Sequence, residues 1–286
     1  MKTFLSLPII LLTLFTVQPS NAALVKQLIE YKDGDTILEG YLVYDDVSQE
    51  PRPGVLVVHD WMGFGGQSHP RAEMLAELGY VALAVDIYGK GVRPKNTDEA
   101  GKLATQYKSD RALLRERIGA GLSTLANLPL VDSARIAAIG YCFGGTTVLE
   151  LARSGAPVKG VVSFHGGLNT STPQDAKNIQ AKVLVLHGAD DPYVPATEVK
   201  AFEDEMNAAQ VDWQMVFYSH AVHSFTDKNA GSDNSKGVAY NALADQRSWE
   251  AMKVFFNEIF NEPQTYGLPW RLNYNGRPGN AMNVSL

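Results

Sequence analysis

Short apolar runs recur along this chain, each ending near Gly, Asp or His and most followed by a segment of helical spacing. The runs lie at residues 54–60, 80–86, 135–140, 160–164, 182–187 and 213–218. Their hydrophobicity is continuous rather than alternating, which marks strands covered on both faces, as in a parallel sheet. Residues 69–78, 144–154, 197–210 and 239–260 repeat apolar positions at three and four, and residues 98–128 hold two such helices. The alternation predicts one α/β domain built on a doubly wound, mostly parallel sheet with helices on both faces. Residues 25–31 and 36–44 flank Asp33-Gly34-Asp35 and predict an N-terminal antiparallel hairpin.

The first 22 residues stand apart. Lys2 precedes an apolar run over residues 4–17, and Ser20-Asn21-Ala22 supplies small residues for a signal peptidase. A transmembrane anchor is the competing reading, but the run is shorter than the roughly 20 residues a membrane helix needs. The expectation is a secretory signal cleaved after Ala22, an exported and periplasmic protein, and no membrane span afterwards. Residues 23–286 show no repeat, low-complexity tract or Gly/Ser linker, so a single domain is expected. The tail, residues 263–286, is rich in Pro, Gly and Asn yet carries Tyr266, Trp270 and Tyr274, and is expected to pack on the body. A net charge of −6, from 25 Lys plus Arg against 31 Asp plus Glu, argues against nucleic acid as a partner. The expected partner is a small molecule.

Ligands of a doubly wound sheet bind beyond the carboxyl ends of its strands. Those ends deliver His59-Asp60-Trp61, Asp86-Ile87-Tyr88, Gly140-Tyr-Cys142-Phe-Gly144, His165, His187 to Asp191, and His220 to His223. Cys142 is the only cysteine, so it forms no internal disulfide; a buried, inert thiol is the plain alternative to a reactive one. Gly140-x-Cys142-x-Gly144 follows a strand and opens a helix, the nucleophile-elbow pattern with sulfur in place of oxygen. The turn sets the thiol at a helix N-terminus, where the dipole favours thiolate. In this pattern the chain order is nucleophile, acid, histidine, which selects Asp191 and His223, with Asp190 as the rival acid. His165 and His187 read as core histidines and His69 as part of a helix start. His220 and His223 lack the helical frame of a zinc site, and Gly63 to Gly66 lacks the marks of a phosphate or dinucleotide loop. No metal or cofactor is expected.

The segments around Asp60-Trp61, Asp86 to Lys90, Cys142, Asp191 to Pro195 and His223-Ser-Phe225 resemble the dienelactone hydrolase family across nearly all of residues 23–286. That resemblance implies the α/β-hydrolase fold and hydrolysis of small esters or lactones through an acyl-enzyme. It implies Cys142 as nucleophile, His223 as base, Asp191 as its orienter, and the backbone N–H groups of Phe143 and Trp61 as the oxyanion hole. It further implies thiol-contacting or substrate-binding positions at Asp60, Tyr88, Lys90 and Asp227. The family has glutamate at the position of Asp60 and arginines at those of Lys90 and Asp227. Lys90 keeps the charge without the bidentate fork, and Asp227 reverses it. With Arg93 as the other cation across the cleft, neutral esters or lactones are expected to be favoured over dienelactone. A non-catalytic exported binding or redox-responsive protein on the same fold, using Cys142 as a sensor thiol, is the alternative from another class.

Overall fold

The computed structural model describes residues 23–261; the expected signal segment at residues 1–22 and the expected tail at 263–286 lie outside that range. The hairpin forms as β1 (Leu24–Asp33) and β2 (Thr36–Asp45), and β2 pairs antiparallel with β4 (Val81–Val85). From β4 onward the sheet is parallel. It continues through β3 (Arg52–Val58), β5 (Val131–Tyr141), β6 (Gly160–Phe164), β7 (Lys182–Gly188) and β8 (Trp213–Tyr218). The spatial order is β1-β2-β4-β3-β5-β6-β7-β8. The central strands are buried end to end, as their unbroken hydrophobicity requires.

Two apolar cores lie on the two faces of the sheet. Helices α2 (Thr97–Ser109), α3 (Arg111–Ala126), α4 (Phe143–Arg153) and α5 (Ala196–Ala208) share one core. Helices α1 (Ser68–Glu77) and α6 (Ala242–Phe260) share the other. Among the described residues no helix is long and apolar enough to cross a membrane.

Local chemistry explains the boundaries. Asp110 closes α2, and its side chain accepts from the Leu113 N–H to cap α3, so residues 98–128 break there into two helices. The last helix starts at Ala242 rather than at 239, because the Ala239 N–H is spent on the His223 carbonyl and Asn241 caps the helix through Ala244 N–H. Strand β5 begins at Val131, earlier than its apolar run, since Val131 and Asp132 pair with Arg52 and Pro53 ahead of a bulge.

The strand order reverses at β3. Its neighbours are β4 on one side and β5 on the other, so the carboxyl ends of β3 and β5 form the topological switch point. Asp60-Trp61 and Cys142-Phe143 emerge there. Helix α4, which starts at that point, is buried along its whole length. Arg153 and Glu150, both fully buried, form an ion pair, and Arg153 also reaches Glu205 and the Leu168 carbonyl.

Candidate active site

The chain turns from β5 into α4 so tightly that two glycines touch. A Cβ on Gly140 would lie 2.0 Å from the Gly144 carbonyl oxygen, and one on Gly144 would lie 2.4 Å from that of Val58. Between them Cys142 is held at φ 54°, ψ −111°, a conformation that side chains rarely adopt. The thiol is half-buried and stands at the start of α4.

His223 reaches it from the loop after β8. Its Nε2 lies 3.0 Å from Cys142 Sγ, and its Nδ1 lies 2.9 Å from Asp191 Oδ2. The loop is pinned on both sides, since His223 N–H donates to Gly237 and the His223 carbonyl accepts from Ala239. Asp191 is buried, and its other oxygen accepts from the Tyr193 N–H at 2.8 Å. Asp190 instead points outward, 3.9 Å from the exposed His220. The structure therefore brings together Cys142, His223 and Asp191, and leaves Asp190 and His220 outside. Burial works against charge on His223, but the neighbouring thiol and Asp191 outweigh it and push the imidazole up to about 10.

A cavity of about 300 Å³ opens above the thiol, lined by Cys142, Phe143, Trp61, His223, Tyr193 and Lys108 among others. Three larger hollows, beside Arg52, along α2 and between Asp191 and Phe217, contain neither the thiol nor the His223 imidazole. Among the described residues, the N–H groups of Phe143 and Trp61 donate to no protein acceptor. The Trp61 loop is held from behind. Tyr88 Oη donates to the Trp61 carbonyl at 3.1 Å, and His59 Nδ1 donates to the Asp60 carbonyl at 2.6 Å. His59 Nε2 in turn accepts from Ile87 N–H, and burial pushes that histidine down to about 4, so it stays neutral.

His165, fully buried, packs edge-on to His223 with ring centroids 5.3 Å apart. Thr226 spends its hydroxyl proton on Gln67, so His165 donates through Nε2 to Thr226 at 2.7 Å. Burial pushes its pKa well down, which keeps a second cation away from His223. Among the described residues no three His, Cys, Asp or Glu side chains gather into a metal-ligand cluster.

None of the four positions expected to bind substrate or contact the thiol, Asp60, Tyr88, Lys90 and Asp227, is part of this cavity's lining. Lys90 is turned away into an ion pair with Glu30 of β1, and Arg93 pairs with Glu39 of β2 at 2.7 Å. Asp227 accepts from Asn229 N–H within its own turn. Asp60 accepts from Met62 N–H at 2.8 Å and makes no hydrogen bond to the thiol, being the shorter acid at that position. Burial raises its pKa. Tyr88 supports the Trp61 loop and packs on Phe143. Sequence reasoning passed over Lys108, which sits in the last turn of α2 with no motif to mark it.

Residues 38–260 match the family described as the dienelactone hydrolase family. A solved structure named m3DLH is 43% identical, covering 84% of this chain and 100% of its own, with a TM-score of 0.81. A dienelactone hydrolase-like promiscuous phosphotriesterase from metagenomic libraries is also 43% identical, with the same coverage and a TM-score of 0.79. A protein of Synechocystis sp. named "Putative carboxymethylenebutenolidase" is 28% identical, covering 77% of this chain and 91% of its own. With the family match spanning most of the sequence and the fold shared over 84% of it, the chain belongs to the dienelactone hydrolase family of ester and lactone hydrolases, on the α/β-hydrolase fold.

Proposed function

We propose that this hydrolase cleaves small esters or lactones with Cys142 as nucleophile, through an acyl-enzyme. The observation that carries the reading is the unbroken line Cys142 Sγ–His223–Asp191, at 3.0 and 2.9 Å, beside two uncommitted backbone donors. His223 Nε2 takes the thiol proton as Sγ attacks the carbonyl carbon, and the developing oxyanion accepts from the N–H groups of Phe143 and Trp61. The C–O bond breaks as His223 Nε2 gives its proton to the leaving oxygen. Water then adds to the thioester, His223 takes its proton, the C–S bond breaks, and the acid departs as the thiol is restored. Asp191 holds the imidazole in one tautomer and favours its charged form. The apolar start and small-residue site of residues 1–22 support export to the periplasm before any of this chemistry.

Brief exposure to 4-nitrophenyl acetate, followed by mass spectrometry, is expected to find the acetyl group on Cys142. An acyl group elsewhere, or full turnover after Cys142 is alkylated, would overturn the reading. An alkylatable thiol with no ester turnover would favour the sensor alternative. A second activity, phosphotriester hydrolysis at the same thiol, is supported by the 43% identity to the promiscuous phosphotriesterase. Paraoxon turnover that survives alkylation of Cys142 would argue against it.

The raised His223 also sets the pH profile. Its ordinary value is about 6.5, so the stability it contributes is fully present below that and is lost as pH rises through about 10. The acylation step needs the proton on Nε2, so kcat/KM should fall along an alkaline limb near pH 10. Asp191→Asn removes an anion that favours the imidazolium, and the limb should move toward neutrality. A limb that stays in place would show that Asp191 does not hold the proton on His223.

A further inference from the structure

We propose that the cavity behind Asp191 is a second ligand site, separate from the cleft above the thiol, which takes a small uncharged alcohol or phenol hydrogen-bonded to His187. This cavity measures about 340 Å³, within the range of small-molecule sites, and is lined from β7, β8, α5 and the loop between β7 and α5. Neither Cys142 nor His223 lines it. Val194 borders both this cavity and the one above the thiol, so the loop from Asp191 to Pro195 is one wall with two sides. Tyr193 lines the thiol side, and Asp191 and Pro195 line the other.

His187 lies near the end of β7 and is only 3% exposed, yet among the described residues its ring makes no hydrogen bond. Buried polar groups are nearly always paired, because an unpaired one costs stability, so the ring lacks a partner that the described chain does not supply. Its Nδ1 is sealed from solvent, which leaves Nε2 as the nitrogen a ligand in the cavity can meet. Burial pushes the pKa of His187 down against the opposing pull of Asp191, and the ring stays neutral. At Nε2 a neutral imidazole is a donor in one tautomer and an acceptor in the other. A hydroxyl group answers both, whereas a carbonyl or an ammonium answers one. The walls set the rest of the ligand. Phe217 stands edge-on to the imidazole with ring centroids 5.3 Å apart, and Val194, Pro195 and Val199 extend the apolar surface. The Ala196 N–H, at the start of α5, is a further donor that a hydroxyl oxygen can use. Charge disfavours an anion, since Asp191 and Glu203 are carboxylates of the lining and Lys200 is paired with Asp204 along α5. Asp191 itself is spent on His223 and on the Tyr193 N–H.

Phenol is the probe, with toluene and benzoate as its apolar and anionic counterparts. In the unmodified full-length protein the imidazole C–H resonances of His187, identified by their loss in His187→Leu, should shift as phenol is added. The shift should saturate with a Kd of about 1 mM, the scale for a ligand of so few atoms. Toluene and benzoate should bind about tenfold more weakly or worse, since each leaves the ring unpaired or brings a charge to the carboxylates. Carbamidomethylation of Cys142 blocks the other cavity and should leave the phenol titration unchanged. Ala196→Phe, at an exposed position of the lining, should fill the cavity and abolish the shift while the His187 resonances remain. His187 resonances that phenol does not move, a shift lost on blocking Cys142 or kept in Ala196→Phe, or toluene binding as tightly as phenol, would each overturn the proposal. None of these readings depends on ester turnover, so the site stands or falls apart from the hydrolase reading.

Discussion

Cys142→Ala is expected to lower kcat/KM on an activated ester by about four powers of ten while the protein stays folded. Among the described residues His223 Nε2 hydrogen-bonds to Cys142 Sγ alone, so no other side chain of the cavity is activated to replace the lost nucleophile. What survives is the rate that two backbone donors and a binding cavity supply without a thiol. Members of such a unit are strongly non-additive. His223→Ala should cost nearly as much, and the double variant little more than either single one. Alanine keeps the Cβ and with it the unusual φ of 54°, so the melting temperature should hardly move. Cys142→Ser tests the proton rather than the shape. A hydroxyl gives His223 no neighbouring anion, so the alkaline limb should leave the region of pH 10 even where some turnover remains. Near-normal hydrolysis by Cys142→Ala would place the reaction at another group altogether.

How far this site could be read from the sequence depended on which residues are fixed by the backbone. Cys142, Asp191 and His223 follow the carboxyl ends of β5, β7 and β8, and the strands were visible as apolar runs. Once those strands run parallel in one sheet, with β6 between β5 and β7, their ends converge at one edge of the sheet, which brings residues 81 and 32 positions apart to within hydrogen-bonding reach. Asp190 and Asp191 were harder to separate. They are adjacent carboxylates, and only the turn after β7 decides that one is buried toward His223 and the other exposed toward His220. Long side chains on the rim were not legible at all. Lys90 follows β4 as a family position suggests, yet its flexible stem carries the ammonium to Glu30 on the hairpin. The hairpin pairing that makes this partner available is a long-range fact. Lys108 was hidden for the converse reason. It is one charged residue in a helical stretch full of them, and only the packing of α2 on α3, and of α3 on α4, brings that helix end to the cavity.

Gly140→Ala is expected to be the most damaging single-methyl addition in the protein. The new Cβ would lie 2.0 Å from the Gly144 oxygen and 2.2 Å from its carbonyl carbon, both backbone atoms. A side chain could rotate away from such a contact, but here the strand-to-helix turn itself would have to open. Overpacking a core commonly costs about 1–3 kcal/mol, and a clash with fixed backbone belongs above that range, at about 4 kcal/mol or more. For a domain of this size that lowers the melting temperature by roughly 10 °C. Activity should fall further than stability, since any opening of the turn displaces Cys142 Sγ from His223 Nε2 and Phe143 N–H from the cavity together. Gly119→Ala on α3 supplies the contrast. Its Cβ would meet nothing within 4 Å, and its φ lies outside the left-handed region. Replacing a helical glycine there should stabilise by up to about 1 kcal/mol, because alanine loses less backbone entropy on folding. Thermal melts and ester kinetics on the two variants read both effects. Equal stability in the two would mean that the elbow yields to a methyl group, and that the close approach of Gly140 and Gly144 is not what holds the thiol in place.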